Sequence, residues 1–239
     1  MAIVRHAAQG QIVDIEIGRR PPRGFRFIGL AHFRQKRGGD PGAKRAPRPI
    51  EVTRAEFVAL RWAILTLGAS SILSGWAYAC GPAPISNAPL DELFVLAIFV
   101  LGGVGGPFWL AVGALAPEPL LAGLAFGLFA AGVLMVNNVR DAAVDARVGC
   151  RTLAIVAGPR AARTLFAALM AAPFVLLGAM VALAPRRALW LALGAGPLAW
   201  AQVKRLYAEP PGAQLNLVLA RTARTQALYA VLLGLGALA

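Results

Sequence analysis

From about residue 53 to the C-terminus, long apolar runs alternate with short polar stretches, and each run is long enough to cross a bilayer as a helix. Six spans are expected, near Glu56–Ala79, Leu93–Ala116, Pro119–Val136, Ala161–Ala184, Arg187–Tyr207 and Thr222–Ala239. The predicted fold is all-α, a polytopic transmembrane helical bundle. Trp76 and Tyr78 sit at one end of the first run as interfacial anchors, and Gly81-Pro82-Ala83-Pro84 ends it, because proline supplies no backbone donor and biases its predecessor away from helix. Pro117-Glu118-Pro119 makes a tight turn between the second and third runs. Gly102-Gly103-Val104-Gly105-Gly106-Pro107, inside the second, predicts a kink and close packing through small residues.

Residues 1–52 contain no such run. They are rich in Arg, Gly and Pro, with one alternating stretch, Ile12 to Ile17, that has the period of a strand. The expected organisation is a basic, non-membrane segment over 1–52, with the character of a disordered arm, followed by a transmembrane domain over 53–239. Composition agrees: at 58% hydrophobic and 15% charged the chain is too apolar for an ordinary soluble domain. Of its 24 basic residues, half lie between Arg5 and Arg54, so the net charge of +13 points to anionic membrane lipid and not to nucleic acid. Cys80 and Cys150 have no metal-ligand spacing and suggest neither a disulfide framework nor a zinc site. No apolar segment follows the basic start, so no secretory signal is expected.

Between the third and fourth apolar runs lies Val136–Ala154, where the chain concentrates its polar chemistry at a membrane surface. If the third helix continues out of the lipid past Val136, Asn137, Asp141 and Asp145 follow at i, i+4 and i+8 and share one face. Carboxylates at that spacing repel one another mildly, and a hard divalent cation would relieve them. Arg140, Arg147 and Arg151 add guanidinium forks able to hold phosphate oxygens. A mixed-charge connection between two spans is the plainer alternative.

The longer string decides between these. N-N-x-R-D-x-x-x-D over Asn137–Asp145, followed by G-x-R-T-L-A over Gly149–Ala154, closely resembles the second aspartate-rich motif of the UbiA superfamily of intramembrane prenyltransferases. Within it the wording is most similar to the 1,4-dihydroxy-2-naphthoate prenyltransferases of menaquinone biosynthesis. Leu215-Asn216 through Arg224 resembles the family's stretch before its last helix. The resemblance implies that Asn137, Asp141 and Asp145 hold Mg²⁺, with Asp141 and Asp145 central to catalysis, and that Asn138, Arg140 and Arg151 bind the diphosphate substrate.

This sequence also departs from the family pattern. Cys150 stands where the family usually has Lys, and Gly106-Pro107-Phe108-Trp109 stands where G-T-Y-Y is common. The family's first aspartate-rich motif is degenerate here: of its pattern only Gly38 and Asp40 match, while Leu30, Ala31 and Arg34 replace metal ligands.

Basic residues mark the cytoplasmic ends of spans. Arg140, Arg147, Arg151, Arg160, Arg163, Lys204, Arg205, Arg221 and Arg224 fall on one side, with Arg186 and Arg187 opposite, so the motif loop is expected to be cytoplasmic, in a bacterial inner membrane. Three spans separate that loop from the basic N-terminal segment, which puts two basic regions on opposite faces. The relatives place four helices in the interval, and the chain reads as a truncated UbiA-type bundle, short by about three helices.

The implied function is transfer of a polyprenyl group from its diphosphate to an aromatic quinone precursor such as 1,4-dihydroxy-2-naphthoate, with Mg²⁺ as cofactor. The alternative from another class is an inactive fragment or membrane scaffold that keeps half of a diphosphate site. An unrelated transporter would need charge inside its spans, and the sequence offers almost none there.

Overall fold

The computed structural model describes residues 3–8, 11–16, 54–183 and 187–239. The expected first-motif remnant at Leu30–Asp40 and most of the basic arm lie outside these residues. The described part is helical apart from one antiparallel hairpin, β1 (Ile3–Ala8) and β2 (Gln11–Glu16), which contains most of the alternating run. Besides a single 3-10 turn, Ile85–Asn87, six longer helical stretches follow. They are α1 (Arg54–Ala79); α2 (Asp91–Ala97), a π-helical segment (Ile98–Gly105) and α3 (Gly106–Val112); α4 (Pro117–Arg147); α5 (Leu153–Leu183); a 3-10 segment (Arg187–Ala195) leading into α6 (Gly196–Ala208); and α7 (Leu215–Leu238). Among the described residues, Asp91–Val112, Pro117–Arg147 and Leu153–Leu183 are by length and composition able to cross a membrane. The chain is an integral membrane protein built as a helical bundle.

Contacts divide it into two compact units. One comprises Met1–Ala69 with Gly106–Leu115 and contains the hairpin. The other, Ser70–Gly105 with Ala116–Ala239, contains the whole of the motif region.

In this second unit the core is made by α4, α5 and α7 together with the 3-10 segment and α6, which add Leu189, Ala192, Val203 and Leu206. Phe129, Phe166, Met135, Met170, Leu177 and Tyr229 are fully enclosed, while Val175, Val231 and Leu235 on the outer faces are exposed, as expected of helices whose solvent on that side is lipid. Tyr229 stands at the centre, its ring 5.1 Å from that of Phe129 and 5.6 Å from that of Phe174. Its hydroxyl donates to the Pro173 carbonyl at 3.0 Å, so the polar tip is satisfied inside apolar packing.

The boundaries of the spans differ from expectation for local reasons. Pro117 and Pro119 both fall in the first turn of α4, where backbone donors have no helical partner in any case, so the helix begins two residues early. The glycine-rich kink takes the form of the π segment, and close packing occurs on the glycines of the neighbour. A Cβ on Gly127 would lie 2.7 Å from Leu96 Cδ1 and 3.2 Å from Leu96 Cα; on Gly123 it would lie 3.2 Å from Val100 Cα. Only glycine at these two positions lets α2 and the π segment seat against α4. Gly158, with φ 81°, breaks α5 into a short N-terminal turn and a long helix from Pro159. The fifth span starts as 3-10 helix and becomes α-helix at Gly196-Pro197.

Candidate functional site

α4 is 31 residues long, about 46 Å at 1.5 Å per residue, against a hydrocarbon core of about 30 Å. Its apolar part ends at Val136, so the last three turns project beyond the lipid and carry Asn137, Asp141 and Asp145 on one face. Gly149 ends the helix. With φ 84° it takes the left-handed position after the cap, Cys150 N donates to the Asp145 carbonyl at 3.0 Å, and Gly149 N donates to the Ala146 carbonyl at 3.3 Å. The G-x-R-T stretch is therefore first a helix stop. Thr152 then opens α5, its carbonyl accepting from Ile155 N and Val156 N at 3.0 Å each, and Arg151 N donates to the Asn87 carbonyl at 2.8 Å, tying this connection to the turn before α2.

Three of the expected residues come together around one guanidinium. Arg140 Nε donates to Asp141 Oδ1 at 2.8 Å, while Nη2 donates to both Asp141 Oδ2 and Asn137 Oδ1, the latter at 2.7 Å. Nη1 donates to Asn216 Oδ1 at 2.8 Å, which links α4 to the first turn of α7. The Arg140 and Asp141 side chains remain 24% and 35% exposed, so the cluster is partly open to a ligand. The hard oxygens of Asn137 and Asp141 are therefore both engaged by a positive group. Asp145 lies one turn further along the same face, half-buried. Arg151 is exposed, and among the described residues its guanidinium makes no hydrogen bond or ion pair.

Asn138 goes elsewhere. It is 4% exposed, and its amide nitrogen donates to Asp91 Oδ2 at 2.8 Å and to Glu92 Oε1 at 3.0 Å. Asp91 and Glu92, at the start of α2, are 0% and 5% exposed. Asp91 Oδ1 also accepts from Glu92 N at 3.0 Å, and Glu92 Oε2 has no partner. Sequence reasoning missed this pair by beginning the second span at Leu93. Two acids ahead of an apolar run read as the usual acidic first turn of a helix, favoured by its dipole. In the sequence Asn216 carries only the family resemblance; its bond to Arg140 has no local signal. Among the described residues no three His, Cys, Asp or Glu side chains are placed so that they could hold a metal ion together.

The helical bundle thus carries one amide and two carboxylates on a single face of α4, with Arg140 bonded among them. Residues 55–237 match the UbiA prenyltransferase family, and the chain belongs to that family. It is 33% identical over 186 residues to the 1,4-dihydroxy-2-naphthoate octaprenyltransferase of Escherichia coli, covering 77% of this chain and 59% of the relative. It is 30% identical over 178 residues to the Haemophilus influenzae protein of that name, covering 74% and 58%. The Bacillus subtilis counterpart is 26% identical over 182 residues, covering 74% and 57%. The chain thus spans less than two thirds of the length of these relatives.

Proposed function

We propose that this chain is a membrane prenyltransferase that moves a polyprenyl group from its diphosphate to an aromatic acceptor such as 1,4-dihydroxy-2-naphthoate, in menaquinone biosynthesis. The observation that carries the reading is the Asn137–Arg140–Asp141 cluster, with Asp145 one turn on, raised beyond the apolar part of α4 within the family-matched region.

Mg²⁺ fits this donor set, because an amide oxygen and two carboxylates on one helix face are hard ligands of the kind it shares with substrate phosphates. Asn137, Asp141 and Asp145 would hold it, and it would supply charge stabilisation for the departing diphosphate. Arg140 spans the cluster and is the group best placed to exchange its bonds with Asn137 and Asp141 for bonds to diphosphate oxygens. Arg151, exposed just past the helix stop, adds a second fork. The apolar packing of α4, α5 and α7 below the face keeps water from an allylic cation, which water would quench. On the density of arginines around it, the motif face is assigned to the cytoplasmic side of a bacterial inner membrane.

The test is prenyl transfer by membranes containing the chain, supplied with dihydroxynaphthoate, a polyprenyl diphosphate and Mg²⁺, beside the Asp141→Asn variant. Turnover lost in the variant is the expected result. The coverage of 57–59% of the relatives' length favours a second reading, a scaffold or binding protein that retains half of a diphosphate site. Well-inserted protein that binds Mg²⁺-diphosphate through Asp141 without turning over would select it.

A further inference from the structure

We propose that Arg160 and Thr164 on α5, with Trp200, Lys204 and Tyr207 on α6, form a docking site for one anionic phospholipid, independent of the prenyl-transfer reading. The two helices are tied together at this end. Arg163 Nε donates to the Leu206 carbonyl at 2.9 Å and Nη2 to the Glu209 carbonyl at 3.3 Å, so the guanidinium closes the last turn of α6 against α5. Beside it the Thr164 and Tyr207 hydroxyl oxygens lie 3.3 Å apart, and Thr164 Oγ1 donates to the Arg160 carbonyl at 3.1 Å. The helices run antiparallel, because a Cβ on Gly196, at the other end of α6, would lie 4.0 Å from Phe174 Cε1.

Trp200, Lys204 and Tyr207 follow at i, i+4 and i+7 and share the outward face of α6. Trp200 and Tyr207 are 60% and 51% exposed, and Lys204 Nζ stands 5.5 Å from the centre of the Trp200 ring. Arg160 and Thr164, at i and i+4 on α5, are exposed as well. From Thr164 to Pro185 the sequence carries no charge, so Arg160 and Thr164 mark the depth at which the apolar part of α5 begins. Tyr207 is level with Thr164. Lys204 and Trp200 lie about 4.5 Å and about 10.5 Å deeper at 1.5 Å per residue.

The charge on this face is uncompensated. Neither α5 nor α6 contains an acid, Glu209 follows α6, and among the described residues neither Arg160 nor Lys204 has an ion-pair partner. A lipid phosphate supplies the missing counter-charge at that depth. Its oxygens accept from the Arg160 fork and the Lys204 ammonium, and the Tyr207 O–H turns to donate to it, while the first acyl carbons lie along the Trp200 ring. A zwitterionic headgroup offers the same phosphate but brings a further cation into a site that already holds two, so the site selects a headgroup of net negative charge. Basic residues that only orient a span need neither hydroxyl nor ring. Two cations, a phenol and an indole converging across two helices are the features of a headgroup site. The motif bonds lie on α4 and α7, so this face does not share their residues.

The test uses the full chain in phosphatidylcholine vesicles with a trace of spin-labelled phosphatidylglycerol or spin-labelled phosphatidylcholine, the motionally restricted fraction being read by electron paramagnetic resonance. Restriction of the phosphatidylglycerol label at least about threefold above that of the phosphatidylcholine label is expected, falling to parity in the Arg160→Gln, Lys204→Gln double variant. Lys204→Arg keeps the preference. Arg205→Gln, which removes the same charge from the next residue of α6, also keeps it, whereas Lys204→Gln alone lowers it. All of these changes fall outside the buried core, and thermal unfolding checks that each variant folds. Equal restriction of the two labels by the parent chain, or a loss in Arg205→Gln as large as in Lys204→Gln, overturns the proposal. So does displacement of the restricted label by an equimolar polyprenyl diphosphate, which would give the face to the prenyl donor. Asp141→Asn leaves the label preference unchanged, so this proposal and the transfer reading fail separately.

Discussion

Gly127→Val tests whether the seating of α2 on α4 holds the buried acids against Asn138. A Cβ at residue 127 would lie 2.7 Å from Leu96 Cδ1, 3.1 Å from Leu96 O and 3.2 Å from Leu96 Cα. The methyl end of Leu96 can rotate away. Its backbone cannot, and valine adds two further methyl groups at the same place. Overpacking of this kind costs about 1–3 kcal/mol, while the modest gain in helix propensity of Val over Gly recovers a few tenths. For a chain of this size that corresponds to a fall of roughly 2–12 °C in Tm. Leu96 follows Glu92 by one turn, so the strain is relieved by moving α2 outward and lengthening the bonds of Asp91 and Glu92 to Asn138. Gly178→Val is the control, since nothing lies within 4 Å of a Cβ there. The assay is thermal unfolding of both variants in one detergent. Equal Tm values for Gly127→Val and Gly178→Val would refute the argument that Gly127 is required by close backbone approach.

Tyr229→Phe removes the hydroxyl that donates to the Pro173 carbonyl in the core, and a loss of about 0.5–1.5 kcal/mol is expected in unfolding, with diphosphate binding unchanged. Arg140→Lys keeps the charge and loses the fork. Its cluster is partly exposed, so stability should change by no more than about 1 kcal/mol, while Mg²⁺-dependent diphosphate binding, read by calorimetry, weakens about tenfold; binding equal to that of the parent chain would remove Arg140 from the substrate site.

The motif face was legible because it depends on one helix alone. Once α4 continues past Val136, the helical repeat aligns Asn137, Asp141 and Asp145 without help from any other element. Gly149 could likewise be read as part of the string, although its reason for being there, the left-handed stop of α4, belongs to backbone geometry. The span limits were less legible where proline and glycine act in pairs: Pro117 reads as a turn until its position in the first turn of a helix is seen, and the 3-10 start of the fifth span has the same apolar composition as an α-helix.

The partner of each polar side chain depends instead on contacts distant in sequence. Asn137 and Asn138 are identical neighbours, yet one is drawn to Arg140 and the other, 100° further round the helix, meets acids 46 and 47 residues earlier in the chain. Nothing in Asn-Asn distinguishes them. Leu90-Asp91-Glu92-Leu93 could have raised the question, because an acidic first turn facing water needs no partner, whereas one at the head of a helix seated against Gly123 and Gly127 turns inward with the helix. The glycine pair in α4 and the acid pair in α2 are thus one feature. Small residues bring the helices close, closeness buries the acids, and burial calls for the amide of Asn138 between them.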